Sequence, residues 1–237
     1  MKLGIMQPYF FPYLGYFDLI NRVDEWIVFD TAQYIRHGWV NRNRILHPKS
    51  GWQYIIVPLE KHSRETPINH IVTQPYEHWR PRMLGQLQHY KKKAPGYSTA
   101  YALVEECLSH GERNLSRLNV WTLRRTCEVL GIPFHYRLFS EMGLEGLDVK
   151  GAGDWALRIS EKVGATEYLN PPGGKDLFDP AAFAASRIRL AFQEPRKFVY
   201  ECPGYRWEPD LSIVDVLMWN EPDAVSAFLR QATYPSS

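Results

Sequence analysis

Cysteine is scarce in this chain, and its few copies are scattered. Cys107, Cys127 and Cys202 are the three present, with no CxxC spacing between them. That pattern argues for reduced thiols, against a zinc site and for a cytoplasmic location. Also missing is any uninterrupted apolar run of about 18 residues, so no membrane span is expected. The first twenty residues are apolar, yet they hold Pro8, Pro12 and Asp18 and lack a basic start, which reads against a signal peptide. Charge of one sign is lacking as well: the net charge is +2, too small for a field that would draw the chain onto nucleic acid or anionic lipid. There is no internal repeat, low-complexity tract or obvious linker. His47, His62, His70, His78, His89, His110 and His135 have no metal-ligand spacing, and no metal is expected.

Aromatic residues are what the chain has in quantity. They make up 14% of it, with eight Trp and fourteen Tyr. Such side chains fill cores, and they also line pockets that stack flat or sugar-like ligands. At 237 residues and 45% hydrophobic, the chain is long enough to bury a substantial core.

Strand and helix patterns alternate. Lys2 to Met6, Glu25 to Asp30, Trp52 to Leu59, Phe134 to Phe139, Thr166 to Leu169 and Arg189 to Phe192 read as strands, with a short one at Ile68 to Val72. Helices are expected from about Tyr13, over 76–93, 98–110 and 115–130, over 153–164, from Pro180, and over 211–219 and 222–231. Gly131 reads as the cap of the helix carrying Leu115, Leu118, Leu123 and Leu130. Alternation of this kind predicts one α/β domain over 1–237. It would hold a Rossmann-like parallel or mixed sheet with helices on both faces and a helical insertion at about 76–130.

Three segments leave strands with unusual chemistry. The first is the turn Gln7 to Tyr16, where Pro8 and Pro12 fix the chain, Gly15 permits close approach, and Gln7, Tyr9, Tyr13 and Tyr16 bring polar groups to a helix start. The second follows Asp30: Gln33, Tyr34, Arg36, His37, Trp39, Asn41, Arg42, Asn43 and Arg44 are dense in hydrogen-bonding groups. Two guanidiniums one residue apart can clamp phosphates or a carboxylate, and Tyr34 and Trp39 can stack on a sugar or base. The third is Asn170-Pro-Pro-Gly-Gly-Lys175, where Gly173, Gly174 and Lys175 can approach an anion without the spacing of a Walker A loop. Ligands of open α/β sheets sit beyond the carboxyl ends of strands, so these segments are expected to converge on one site. Asp30 at a strand end, or His37, is the candidate general base. Cys202 is a thiol with no base paired to it in sequence, and Ser212 and Asp215 form a capping-box-like pair expected to be structural.

Met6-Gln-Pro-Tyr-Phe-Phe-Pro-Tyr-Leu-Gly-Tyr-Phe17, Gln33-Tyr-Ile-Arg-His-Gly-Trp-Val-Asn-Arg-Asn-Arg-Ile-Leu46, Glu167-Tyr-Leu-Asn-Pro171 and Leu211-Ser-Ile-Val-Asp-Val-Leu-Met-Trp-Asn220 resemble the WbqC-like protein family over essentially the whole chain. That family is typical of bacterial surface-polysaccharide (O-antigen) gene clusters, beside amino-sugar enzymes and carrier proteins. The resemblance implies acyl or aminoacyl transfer, from a thioester on a phosphopantetheine carrier protein, to the amine of a nucleotide-linked amino sugar. Arg42 and Arg44 would then hold the diphosphate, with backbone N–H groups near Gly15 and Gly173 assisting. Trp39 and the N-terminal tyrosines would stack, Gln7 and Asn41 would donate to an oxyanion or sugar hydroxyl, and Asp30 or His37 would take the ammonium proton. No cofactor beyond that donor is implied.

Tyr13-Leu-Gly-Tyr16 after a strand also resembles, more distantly, the HxGH motif of the nucleotidyltransferase superfamily, with tyrosines in place of both histidines. That likeness implies ATP and magnesium as the alternative. A non-catalytic sugar or carrier-protein binding module is the third reading.

Overall fold

Apolar residues on both faces of β1 (Lys2–Met6) and β2 (Glu25–Val28) mark them as interior strands of a parallel sheet. The computed structural model describes residues 1–144 and 146–231. It joins these strands to β5 (Tyr136–Leu138), β6 (Glu167–Asn170) and β7 (Arg189–Phe192) in a five-stranded sheet of order β5-β2-β1-β6-β7. Every pairing in it is parallel. This is the α/β, Rossmann-like architecture expected from the sequence.

Alternate residues of the central strands enter two apolar clusters. Leu3, Ile5 and Ile27 pack beneath α5 (Asp154–Val163) and α6 (Pro180–Ala185). Trp26 and Val28 face the larger cluster, which takes in α1 (Leu14–Ile20), α2 (Tyr76–Gln86), α3 (Tyr97–Cys107), α4 (Leu115–Leu130), α7 (Ile213–Trp219) and α8 (Pro222–Arg230). Gly4 makes room for the Trp26 ring, since a Cβ there would stand 2.7 Å from Trp26 Cε3. Helix ends follow local chemistry: Asn114 caps α4 by accepting from Arg117 N (3.1 Å), and Gly131 closes it in the left-handed conformation, φ 59°.

Three expectations are corrected. The strand at Trp52 is β4 (Trp52–Ile56), and among the described residues it pairs only with β3 (Arg42–Leu46), in a separate antiparallel hairpin. β3 was hidden within the polar segment after Asp30, because its inward Asn43 replaces the apolar residue that alternation requires. Between β2 and β5 the chain therefore carries this hairpin ahead of the helices α2 to α4. Ile68–His70 is a 3₁₀ turn rather than a strand, since His70 N donates to the Pro67 carbonyl (3.0 Å) and Ile71 N to that of Ile68 (3.1 Å). Pro172–Leu177, expected as an irregular loop, is also a 3₁₀ turn. Among the described residues, no helix is long and apolar enough to cross a membrane.

Candidate functional site

The chain lays down β1, β2 and β5 outward to one side, then returns to place β6 and β7 on the other side of β1. Strand order thus reverses between β1 and β6, and in open α/β sheets a crevice forms beyond the strand ends at such a point. The turn leaving β1 is held there by its backbone. Asn119 Nδ2 donates to the Pro8 carbonyl (2.8 Å), and buried Asn43 Nδ2 to those of Phe10 and Phe11 (3.1 and 2.9 Å). Ser212 Oγ also donates to Phe11 O (2.7 Å), and a bridge joins Tyr13 to Ser212.

A cavity of about 220 Å³ opens at this reversal, between the start of α1, Pro172 after β6, the segment after β7 and the segment entering α7. Its walls are largely rings: Tyr13, Phe198, Tyr200, Trp207 and Phe228. Its polar groups are Asp18, Gln193, Arg196, Lys197, Glu208 and Asp210. Asp18 is buried and fully engaged, accepting from Arg22 Nη2 (2.9 Å), Arg22 Nε (3.0 Å) and Gln193 Nε2 (2.8 Å). Gln193 Nε2 also donates to the Gly15 carbonyl (2.9 Å), tying the end of β7 to α1. Arg196 lies over Phe228, 3.9 Å from ring centroid to guanidinium, and its Nη2 donates to the Phe228 carbonyl (3.0 Å). Glu208 and Asp210 appear in no ion pair among the described residues, and Asp210 has a left-handed backbone, φ 53°. Burial raises the Tyr13 phenol, and the Asp210 carboxylate pushes it further the same way. Tyr9 and Tyr16 are raised by burial too, so all three phenols are neutral donors at neutral pH.

Of the residues singled out in sequence, Tyr13 and Gly15 line this cavity. Arg44 reaches its rim: Nη2 donates to the Asp210 carbonyl (3.2 Å), while the guanidinium sits 5.3 Å from the Trp39 ring and 5.1 Å from the Trp52 ring. Arg42 is a strut rather than a free cation. Its Nε donates to Gly38 O (3.2 Å) and its Nη2 to His37 O, and it stacks on Tyr54 at 4.2 Å. His37 is exposed in that loop at φ 65°. Tyr16 and Asn43 are built into the fold: Tyr16 is 1% exposed and donates to the Gln7 carbonyl (2.8 Å), and Tyr9 leans on its ring at 5.6 Å. Gln33, Tyr34 and Asn41 line a separate open cleft with Arg36 and His62; there Tyr34 OH donates to Asn41 Oδ1 (2.8 Å) and Gln33 Nε2 to Arg64 O (2.9 Å).

Asp30 does not reach the cavity. It is 1% exposed at the end of β2, where Ser140 N (3.0 Å) and Ser140 Oγ (2.7 Å) donate to its two oxygens. Asn170 accepts from Tyr168 OH (2.7 Å) and donates to Pro171 O (2.9 Å). Gly174 packs against it so closely that a Cβ would lie 2.2 Å from Asn170 Nδ2. Lys175 rests over Phe192 at 5.7 Å, and Gly173 is exposed. From the third segment only the neighbouring Pro172 lines the cavity. Cys202 is buried, and burial pushes its thiol up to about 12, out of the range of a thiolate nucleophile. Ser212 caps α7 by accepting from Val214 N (3.2 Å), but Asp215 completes no capping box; its carboxylate faces Leu46, Tyr90 and Tyr200.

The residues that sequence reasoning passed over are Arg196, Lys197, Trp207, Glu208 and Asp210. One signal was present: Phe198 to Asp210 is as rich in rings, proline and charge as the first turn, and it has no helix or strand period.

Fold and crevice together define a Rossmann-like α/β protein with a candidate ligand site at the reversal of strand order. The chain belongs to the WbqC-like protein family, whose model matches residues 7–227. It is 32% identical over 230 residues to the uncharacterized protein Rv1507c of Mycobacterium tuberculosis (strain ATCC 25618 / H37Rv), covering 91% of this chain and 92% of that one. No solved structure matches it.

Proposed function

We propose that this protein transfers an acyl or aminoacyl group to the amine of a nucleotide-linked amino sugar, in the cytoplasmic stage of surface-polysaccharide assembly. The observation that carries this reading is the composition of the crevice: ring walls, Arg196 and Lys197, and the carboxylates Glu208 and Asp210. Rings stack on a base or sugar, cations neutralise a diphosphate, and a carboxylate attracts and deprotonates an ammonium.

In this reading Asp210 takes the proton as the sugar amine attacks a thioester carbonyl. A C–N bond forms, the C–S bond breaks, and Asp210 passes the proton it took from the amine to the departing thiolate, which leaves as the thiol. Arg44, bonded to the Asp210 main-chain carbonyl, steadies the backbone that carries this carboxylate and would meet the diphosphate at the rim. The donor is a thioester on the phosphopantetheine arm of an acyl or peptidyl carrier protein. The ATP-dependent alternative is favoured by the strand order and by Tyr13 at the crevice. It is disfavoured by Tyr16, whose hydroxyl is spent on Gln7.

The test combines a thermal-shift panel with a turnover assay. UDP- and dTDP-linked 4-amino sugars are expected to raise the unfolding temperature by mass action. With an aminoacyl phosphopantetheine thioester added, thiol release and an amide product should follow. Stabilisation by magnesium ATP alone, with pyrophosphate release, would replace this reading with adenylyl chemistry. Binding without turnover of any donor would leave a binding module.

A further inference from the structure

Between Asp30 and Glu60 the chain carries no acidic residue, yet it holds Arg36, Arg42, Arg44 and Lys49. The small net charge conceals this stretch, because the balancing acids lie elsewhere in the chain. None of the four cations is in an ion pair among the described residues. Glu208 shares a small cleft with Lys49, and Arg206 lines the same cleft. The stretch folds into the β3–β4 hairpin and the loop before it. Alternation turns Asn43, Ile45 and Ile55 inward and leaves Arg42, Arg44, Trp52, Tyr54 and Ile56 on the outer face. Ile35 is 60% exposed, Ile56 45%, Trp52 40% and Trp39 37%. Exposed apolar side chains are ordinary when scattered singly. Here four of the nine large ones exposed among the described residues fall on one small unit. They are also joined. The Arg44 guanidinium lies between the Trp39 and Trp52 rings, and Arg42 stacks on Tyr54 while its Nε donates to the Gly38 carbonyl. Gly38 N in turn donates to the Ile35 carbonyl (3.1 Å), and Ile56 stands opposite Arg42 in the ladder.

We propose that this outer face of the hairpin docks the protein on an anionic lipid bilayer. Indole rings settle at the headgroup level and aliphatic side chains reach the acyl boundary, while arginine and lysine meet the lipid phosphates. The charge of the face is of one sign, which matches a leaflet that is negative everywhere. A face that reads a partner protein is set by a pattern of both signs. Single-stranded nucleic acid would use the rings and the cations, but Ile35 and Ile56 offer a base no surface to stack on. Arg44 connects the face to the crevice through the Asp210 carbonyl, so docking here brings the crevice rim up to the headgroups.

Co-sedimentation of the intact protein with vesicles tests the assignment. Vesicles of equal parts phosphatidylglycerol and phosphatidylcholine are expected to bind it at least about tenfold more tightly than phosphatidylcholine alone, a preference that two surface cations suffice to give. Trp52→Thr, which keeps a strand-forming residue, should weaken binding to the anionic vesicles at least about fivefold. Lys49→Glu should weaken it about as much; Lys49 is exposed in the turn between the strands, so this variant reads the face without touching the packing of the hairpin. Lys162→Glu makes the same change of charge on α5, which packs on the other side of the main sheet, and should alter binding less than about twofold. Equal binding to the two kinds of vesicle overturns the proposal, as does equal weakening by Lys49→Glu and Lys162→Glu. Full binding by both Trp52→Thr and Lys49→Glu overturns it as well. Absence of binding to anionic vesicles overturns it outright, and a dimer in solution that Trp52→Thr dissociates would assign the face to a second copy of the chain instead.

Discussion

Asp215→Asn should flatten the stability of this protein between pH 4 and pH 7. Asp215 is fully buried on α7, where its carboxylate accepts from Leu46 N (3.0 Å), from Tyr200 OH (2.9 Å) and from Tyr90 OH. Burial pushes its pKa from the ordinary 3.8 up to about 6, and the three donors pull it back only in part. The folded chain therefore holds this proton more tightly than the unfolded chain. Its contribution to stability is fully present below pH 3.8 and is lost as pH rises through 6. A shift of this size is worth about 3 kcal/mol in all, roughly half of it falling between pH 5 and pH 7.5. Asparagine cannot titrate, and its amide still offers an oxygen to one tyrosine and an N–H to the other. Urea unfolding of both proteins at pH 5 and pH 7.5 isolates the term, because every other titrating group is common to the two. The wild-type protein should lose about 1.5 kcal/mol more than the variant over that interval. Equal losses would mean that the carboxylate is not desolvated as described, and would refute the reasoning.

Other expectations follow from single contacts. Asn43→Ala removes the donor to the Phe10 and Phe11 carbonyls and should cost roughly 1–3 kcal/mol in urea unfolding; a change near zero would detach that residue from the turn. Gly4→Ala drives a Cβ into the buried Trp26 ring and should destabilise by roughly 1–3 kcal/mol, with a shift in near-ultraviolet dichroism. Arg44→Ala should weaken binding of a UDP-linked amino sugar at least about tenfold while the fold persists. Arg42→Ala, which removes a strut, should leave that affinity within about threefold, and calorimetry giving the reverse order would exchange their roles. Cys202→Ala should retain activity, since a thiol raised to about 12 supplies little thiolate; abolished turnover in a folded variant would reinstate it as a nucleophile.

Much of the architecture could be read from local pattern. The caps of α4 and the apolar faces of its turns are written within a few residues of each other, as are the doubly apolar runs of β1 and β2. The hairpin could not be read this way. Arg42-Asn-Arg44 looks like a solvated loop until the inward Asn43 is seen to serve two carbonyls from residues more than thirty positions earlier. The polar turn after β1 could be picked out as a site because tyrosine and proline replace the leucine and valine a core would use. Its partners could not, since nothing in Phe198 to Asp210 announces which strand end it will cover.

The sequence by itself determined the alternation of strands and helices, a parallel or mixed sheet, the family and the unusual chemistry of the turn at Gln7 to Tyr16. Each depends on periodicity, capping or residue type over short stretches, where physical preference is local. Tertiary structure alone decided that Arg42 braces a loop while Arg44 reaches the crevice, that Asp30 closes onto Ser140, and that Arg196, Trp207 and Asp210 stand across from Tyr13. Those outcomes turn on strand order, and strand order is set by which apolar faces bury one another across the whole chain rather than by any neighbouring residues.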